Sequence, residues 1–323
     1  ESLRGRAIRG TLWYGVSRWV IQGISWILTI LVARLLTPGD YGLFGYALLV
    51  TGLVAQFNEL GLGAALIQKK NLQEGDLDAA FWVSMAMAVF IYVVIWFGSP
   101  LMALFFGQPP LVPVLRVAMV SFLIGSLRIV SWNMLTKKID FKQRSSVEIA
   151  ANLLGAVITL GLAYAGKGVW ALLAGVLVRE SILTLGCFCL VPWLPKGIWS
   201  RSSLRRVLGF GLNVSAARVL WYFSSSADFF IVGKVLGRDV LGFYSMVFQL
   251  ATLPVNRITT IVNQVAYPVY AEIQEDGQRL LSYFLKTVRI ISLIAFPILA
   301  GMAMVAGMAV PLILTSKWVP IVP

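Results

Sequence analysis

The chain has no histidine, two cysteines, and 14 acidic residues among 323. Without imidazole it has neither the side chain that most readily serves as a general base near neutral pH nor a His-based zinc site. Cys187 and Cys189 sit inside the apolar run "LGCFCLVPW". Two thiolates do not complete a tetrahedral zinc site, so they read as buried small hydrophobes. Charged residues make up 13% of the chain, about half the share in a soluble domain. No segment between the apolar runs is long enough to hold a soluble domain.

What is present is apolar. Hydrophobic residues are 59% of the sequence and the mean hydropathy is +0.83. Apolar runs repeatedly reach about 20 residues, the length that crosses a bilayer core as helix. The fold class expected is all-α, a polytopic membrane helix bundle. About nine spans are expected, near 11–36, 41–65, 79–106, 111–136, 147–165, 168–191, 204–233, 240–266 and 284–314. The connections carry breakers: "TPGD", "GQPP", "AGKGV", "VPWLPKG" and "LGRD".

A net charge of +13 would point to nucleic acid in a soluble protein. Here its distribution points to membrane topology instead, and no nucleic-acid partner is expected. Lys and Arg favour cytoplasmic loops, where they face anionic lipid. Arg4, Arg6, Arg9, Lys69, Lys70, Lys137, Lys138, Lys142, Arg144, Lys196, Arg201, Arg205, Arg206, Arg279, Lys286 and Arg289 fall on one side. Only Arg34, Lys167, Lys234, Arg238 and Lys317 fall on the other. The N-terminus is therefore expected in the cytoplasm.

The chain also punctuates itself twice in the same way. At an offset of 200, Leu12, Arg18, Ser25, Val32, Leu36, Gly42 and Leu53 match Leu212, Arg218, Ser225, Val232, Leu236, Gly242 and Leu253. The register aligns the turn "LTPGD" with "LGRDV" and Arg18 with Arg218, and the lead-ins "SLRGRAIRG" and "SLRRVLGFG" also correspond. Six spans separate the copies, so both point the same way, a parallel repeat about the membrane normal as in two-lobed transporters. The expected domains are a six-helix lobe over 1–200 and the first three helices of a second lobe over 201–323. The second unit stops after three spans, so three or more C-terminal helices are expected to be missing.

Six arginines fall within the expected spans: Arg18, Arg116, Arg128, Arg179, Arg218 and Arg257. Each costs about 2.5–3.5 kcal/mol at a bilayer centre on insertion scales. Arg116 lies about a turn from its helix start, within snorkelling reach of the interface. Arg179 neighbours Glu180, although adjacent helix positions do not face one another. For those two a structural role and a functional one are equally open. The other four sit at similar depth on four helices, mostly about 12–15 Å in at 1.5 Å per residue.

Their helical neighbours are polar. Arg18, Gln22, Ser25 and Thr29 share one face, and Arg218, Tyr222 and Ser225 repeat it. Gln249, Asn256, Thr260 and Asn263 form another stripe, and Gln56 and Glu59 lie on the second span. These faces are expected to line a hydrated cavity between two lobes. The competing reading is that they only bond helices together. The candidate substrate-binding residues are Arg18, Gln22, Ser25, Gln56, Arg128, Arg218, Asn256 and Arg257. A multiply charged anion such as phosphate suits guanidinium groups, which bind it bidentately. Glu59 and Asp228 are the ion-coupling candidates, or else arginine partners.

Three motifs mislead. "GLAYAGKG" nearly spells a phosphate-binding loop, but Gly168 stands where Ser or Thr belongs and no strand precedes it. It reads as an interhelical turn. "NVS" at Asn213 has the form of a glycosylation site but falls within a span. Gly61 and Gly63 read as close packing or a helix break rather than a nucleotide cradle.

The stretches "VARLLTPGDYGLFGYALLVTGLVAQFNELGLGAALIQKKNLQEGDLDAAFW", "LVPVLRVAMVSFLIGSL", "FGLNVSAARVLWYFSSSADFFIVGKVLGRDVLGFYSM" and "FPILAGMAMVA" carry a resemblance spread over essentially the whole chain. The sequence resembles polysaccharide exporters of the Wzx type (colanic or teichuronic acid exporter-like) in the MATE/MOP flippase superfamily. The resemblance implies twelve or more helices in two lobes. It also implies export of undecaprenyl-diphosphate-linked oligosaccharide from the inner to the outer leaflet of the bacterial inner membrane, by alternating access. No cofactor is implied beyond a coupling ion, H+ or Na+. The implied partners are the lipid-linked oligosaccharide diphosphate and bacterial membrane lipids, with polysaccharide polymerase and assembly proteins as candidates. Relatives that flip peptidoglycan precursor use cavity arginines, and Arg18, Arg218 and Arg257 fall in suitable helices. A peptidoglycan-precursor flippase and a multidrug cation antiporter share this fold, though the antiporter should have an acidic cavity. A membrane-embedded glycosyltransferase or polymerase would need a sizeable loop with catalytic carboxylates, and no loop qualifies.

Overall fold

The computed structural model describes residues 23–58, 74–137, 141–197 and 201–322. Among them every regular element is a helix. In a bilayer this is the expected outcome, because a helix satisfies its backbone polar groups internally. In chain order these are α1 (Gly23–Leu35), α2 (Pro38–Asn58), α3 (Glu74–Phe106), α4 (Leu111–Ala118), α5 (Val120–Leu127) and α6 (Ile129–Lys137). Then come α7 (Phe141–Tyr164), α8 (Val169–Leu190), α9 (Arg201–Val235), α10 (Arg238–Glu272), α11 (Gly277–Ile313) and a 3-10 turn at Ser316–Ile321.

Four described helices are long and apolar enough to cross a membrane: α3, α7, α8 and α11. A fifth span forms if the bent run α4–α5–α6 counts as one. The 21 residues of α2 and the 35 each of α9 and α10 are also long enough to cross. They carry the polar residues singled out above, which lower their apolarity.

The breaks have local causes. Thr37 caps α2: its Oγ1 accepts from the Asp40 amide at 3.2 Å, and the Asp40 carboxylate accepts from the Thr37 amide at 3.0 Å. That is a capping box, with Pro38 at the first helical position, where its missing N–H costs nothing. The near-phosphate-loop motif is an interhelical turn. Gly166 (φ 70°) ends α7, its amide donating to Ala163 and that of Lys167 to Leu162, both at 3.0 Å. This Schellman pattern needs the left-handed conformation that glycine adopts without strain.

The chain divides into two compact units, Glu1–Gly242 and Phe243–Pro323, with the boundary inside α10. In the first, one apolar core joins Leu43, Tyr46, Ala47, Val50 and Val54 of α2 to α3, α4, α8 and Leu241. Tyr46 is fully buried, donates to the Gly233 carbonyl at 2.7 Å, and packs on Phe106 at 4.6 Å. Lys234, at the end of α9, lies over the Phe105 ring and donates to the Phe105 carbonyl. The hairpin of α7 and α8 crosses at Gly155 and Gly175, close enough that a Cβ on Gly155 would lie 2.8 Å from the Gly175 carbonyl. Small residues permit such contact between membrane helices. Cys187 is buried in this hairpin as expected, but Cys189 is exposed. It sits two residues along the same helix and so faces the other way.

In the second unit α11 starts at an Asp276 cap, whose side chain accepts from the Arg279 amide at 3.0 Å. Trp318 is fully buried with its ring edge-on to Phe243 at 5.9 Å.

The offset-200 register reappears in the first unit as a physical contact. Helices end at 35 and 235 and restart at 38 and 238. A Cβ built on Gly42 would lie 1.9 Å from the Arg238 carbonyl oxygen, and one on Gly242 would lie 1.9 Å from that of Pro38. Residue 42 meets 238 and residue 242 meets 38. Such reciprocity is what a local two-fold axis between equivalent segments produces.

Candidate functional site

Arg128 occupies the single-residue break between α5 and α6, at φ −87° and ψ −1°. Its amide donates to Gly125 at 3.3 Å and its carbonyl accepts from Trp132 at 2.8 Å, while the segments on either side bend by 53°. The span expected over 111–136 is therefore a bent run of three short helices. The depth assigned to Arg128 from a straight helix does not carry over.

The guanidinium is not alone. Arg128 Nη1 lies 2.5 Å from Glu180 Oε2 of α8 and donates to Thr184 Oγ1 at 3.4 Å. Thr184 donates in turn to the Ile124 carbonyl at 3.1 Å. The second Glu180 oxygen accepts from Arg179 Nη1 at 2.7 Å, and Arg179 Nε donates to Asn152 Oδ1 at 3.1 Å. Arg179 and Glu180 do meet, despite being adjacent, because the long arginine side chain folds back. Two arginines thus share one carboxylate, leaving a net positive charge.

A cavity of about 360 Å³ opens beside this cluster. Its walls are Phe44, Ala47, Leu48, Thr51, Gly52 and Ala55 of α2, the α4–α5 segment, and Leu173, Val176 and Leu177 of α8. Arg128 and Glu180 line it as well. From α9, Tyr222 packs on Gly52 and donates to the Leu49 carbonyl at 2.8 Å. The result is an apolar chamber with one basic cluster in its wall.

A double-mutant cycle tests what Arg128 does. Breaking a buried ion pair from one side costs about 3 kcal/mol. Arg128→Leu and Glu180→Leu in the full-length protein should therefore each lower the melting temperature, and the double variant should lose less than their sum. Export lost by Arg128→Leu at unchanged stability would instead mark this arginine as a substrate contact.

Residues 31–323 match the family of polysaccharide biosynthesis proteins. The chain belongs to that family. It is 25% identical, over its whole length, to lipopolysaccharide biosynthesis protein WzxC of Escherichia coli K12, covering 66% of that relative. It is likewise 25% identical over its whole length to teichuronic acid biosynthesis protein TuaB of Bacillus subtilis, covering 67% of it. The succinoglycan biosynthesis transport protein ExoT of Rhizobium meliloti matches at 21% over 96% of the chain and 63% of its own length. The chain spans about two thirds of the length of these relatives. Among solved structures, a multidrug resistance MATE family transporter of the MOP superfamily, in an inward-facing conformation, superposes with a TM-score of 0.64. The match is at 16% identity and covers 92% of this chain and 75% of that one. It shows the fold, a MATE/MOP-like helical bundle. Together with the apolar helices, it makes this family member a multi-pass membrane protein.

The residues expected in the polysaccharide biosynthesis protein's site are brought together only in part. Arg18, Gln22 and Glu59 lie outside the described residues. Arg128 lines the chamber. Gln56 lies next to the lining residue Ala55, but its Nε2 donates to the Gly52 carbonyl of its own helix at 3.1 Å. Ser25 is half-buried in α1, where its carbonyl accepts from Thr29 at 2.8 Å. Arg218 and Asp228 are half-buried on α9, Arg218 one turn before Tyr222. Asn256 is exposed and Arg257 half-buried on the part of α10 in the second unit. The expectation missed Thr51, Ser121 and Thr184. Thr51 and Ser121 have no polar residue three or four positions away, and Thr184 follows Glu180 by one helical turn, a spacing that went unread.

Proposed function

We propose that the full-length protein carries undecaprenyl-diphosphate-linked oligosaccharide from the inner to the outer leaflet of the bacterial inner membrane by alternating access. Its N-terminus then lies in the cytoplasm. The observation that carries this reading is the family match over residues 31–323 on a MATE/MOP-like fold. Relatives matched over nearly the whole of this chain act, by name, in lipopolysaccharide, teichuronic acid and succinoglycan synthesis, three different glycans. A common lipid-diphosphate carrier would serve all three, so a site for a lipid-linked diphosphate fits them better than a site for one sugar. The net charge of the Arg128–Glu180–Arg179 cluster has the right sign for that diphosphate. A cation-exporting reading has only the fold in its favour. The test is complementation of a strain lacking its own exporter, with the full-length gene, scored by surface polysaccharide. No surface polymer at normal expression overturns the proposal.

The coupling ion is H+ or Na+, and its candidate carriers are Asp228 and Glu59. If either carries it, Asp228→Asn or Glu59→Gln should stop gradient-driven export while leaving substrate binding measurable. Wild-type transport by both variants removes them from the mechanism.

A further inference from the structure

Arg116 is an intramembrane arginine that the site described above does not use. It lies in α4 five residues after Leu111, about 7.5 Å along the helix at 1.5 Å per residue. Its Nε donates to Ser99 Oγ at 3.3 Å, and its guanidinium carbon sits 4.3 Å from the centre of the Trp96 ring. Ser99 is fully buried, and its own hydroxyl donates to the Trp96 carbonyl at 3.0 Å. The serine therefore holds the guanidinium by a lone pair and pins it against the indole.

A guanidinium has five N–H donors, and this one uses a single donor among the described residues. Its two terminal nitrogens meet neither a carboxylate nor a carbonyl there. In a hydrocarbon environment that is an unmet demand. An anion supplied from outside the chain would meet it.

The surrounding face says what kind of anion. Tyr92, Val93, Trp96 and Phe97 form a shallow groove of about 240 Å³ on α3. Phe97 is 75% and Trp96 39% exposed, so in a membrane the groove is open to lipid. The Tyr92 and Trp96 rings lie 5.8 Å apart, and Trp96 belongs to both the groove and the guanidinium stack. An apolar trough beside a partly satisfied cation matches a molecule with a hydrocarbon tail and one charged phosphate. Guanidinium also binds phosphate oxygens bidentately.

We infer that Tyr92, Val93, Trp96, Phe97 and Arg116 form a binding site for one anionic phospholipid, its phosphodiester on Arg116 and an acyl chain along the aromatic groove. One guanidinium balances the single charge of a phosphodiester. The cargo proposed above has a diphosphate and a hydrophilic glycan, and an open lipid-facing groove shields neither. The site is independent of the proposed transport function, and either can fail without the other.

The experiment is native mass spectrometry of the delipidated full-length protein, titrated separately with phosphatidylglycerol, phosphatidylcholine and undecaprenyl phosphate. Phosphatidylglycerol should bind more tightly than phosphatidylcholine. Arg116→Gln should weaken its tightest binding step about tenfold, the scale of one charge-assisted hydrogen bond. Arg116→Lys should fall in between, since it keeps the charge and loses the planar fork. Phe97→Ala should weaken both phospholipids by a smaller factor. If Arg116→Gln does not yield folded protein, the Lys and Phe97 variants carry the same reading. Unchanged phosphatidylglycerol affinity in the arginine variants overturns the inference. So does equal binding of phosphatidylcholine by the wild type. Arg116-dependent binding of undecaprenyl phosphate in preference to phosphatidylglycerol would assign the groove to a polyprenyl phosphate instead, and would overturn it too.

Discussion

Full-length protein carrying Gly42→Leu is expected to reach the membrane in normal amounts and to export a tenth or less of the wild-type polysaccharide. The first carbon of any side chain at that position would lie 1.9 Å from the Arg238 carbonyl oxygen. That atom belongs to a backbone and cannot rotate aside. Overpacking of this kind costs about 1–3 kcal/mol, enough to shift a two-state equilibrium by about 5- to 150-fold. The cost falls only on the arrangement in which residues 38–42 and 238–242 touch, so a protein that must pass through that arrangement stalls. Gly242→Leu should behave alike, because it meets the Pro38 carbonyl at the same distance. Gly98→Ala and Gly161→Ala are the controls, since a Cβ at either meets nothing within 4 Å. Normal export by both leucine variants would show that the contact is not part of the working cycle.

Replacing Arg18 and Arg218 together with alanine is expected to bring surface polysaccharide to background. Each charge-assisted hydrogen bond contributes about 1.5–3 kcal/mol. Losing two in a transport step therefore corresponds to about a hundredfold or more. Arg218 stands one helical turn from Tyr222, whose hydroxyl is bonded to α2 beside the chamber. Single replacements by alanine should each lower flipping, and lysine should rescue only partly because it lacks the bidentate fork. Full activity of the double variant at normal expression would leave both arginines structural.

The features legible in the sequence were those with strong local causes. The α3 C-terminus at Phe106, α8 over Val169–Leu190 and the turn around Gly166 follow from apolar runs bounded by Gly and Pro. The offset-200 register was visible as a weak pattern of identities, and its Gly42 and Gly242 became a contact. The bend at Arg128 was not legible. Neither Pro nor Gly occupies positions 119 or 128, so no residue announces that a continuous apolar run breaks into three. The Arg128–Glu180 pair escaped for a similar reason. It joins residues far apart in sequence, and nothing local links a basic residue on one span to an acid on another.

The reciprocal glycine contact also limits how a substitution at either position can be relieved. Most clashes between side chains can be relieved by a second substitution that trims the neighbour. Here the neighbour of each glycine is a main-chain carbonyl, which every amino acid possesses. No compensating change at 38 or 238 removes that oxygen. A side chain at 42 or 242 can be accommodated only by moving the main chain of the facing segment.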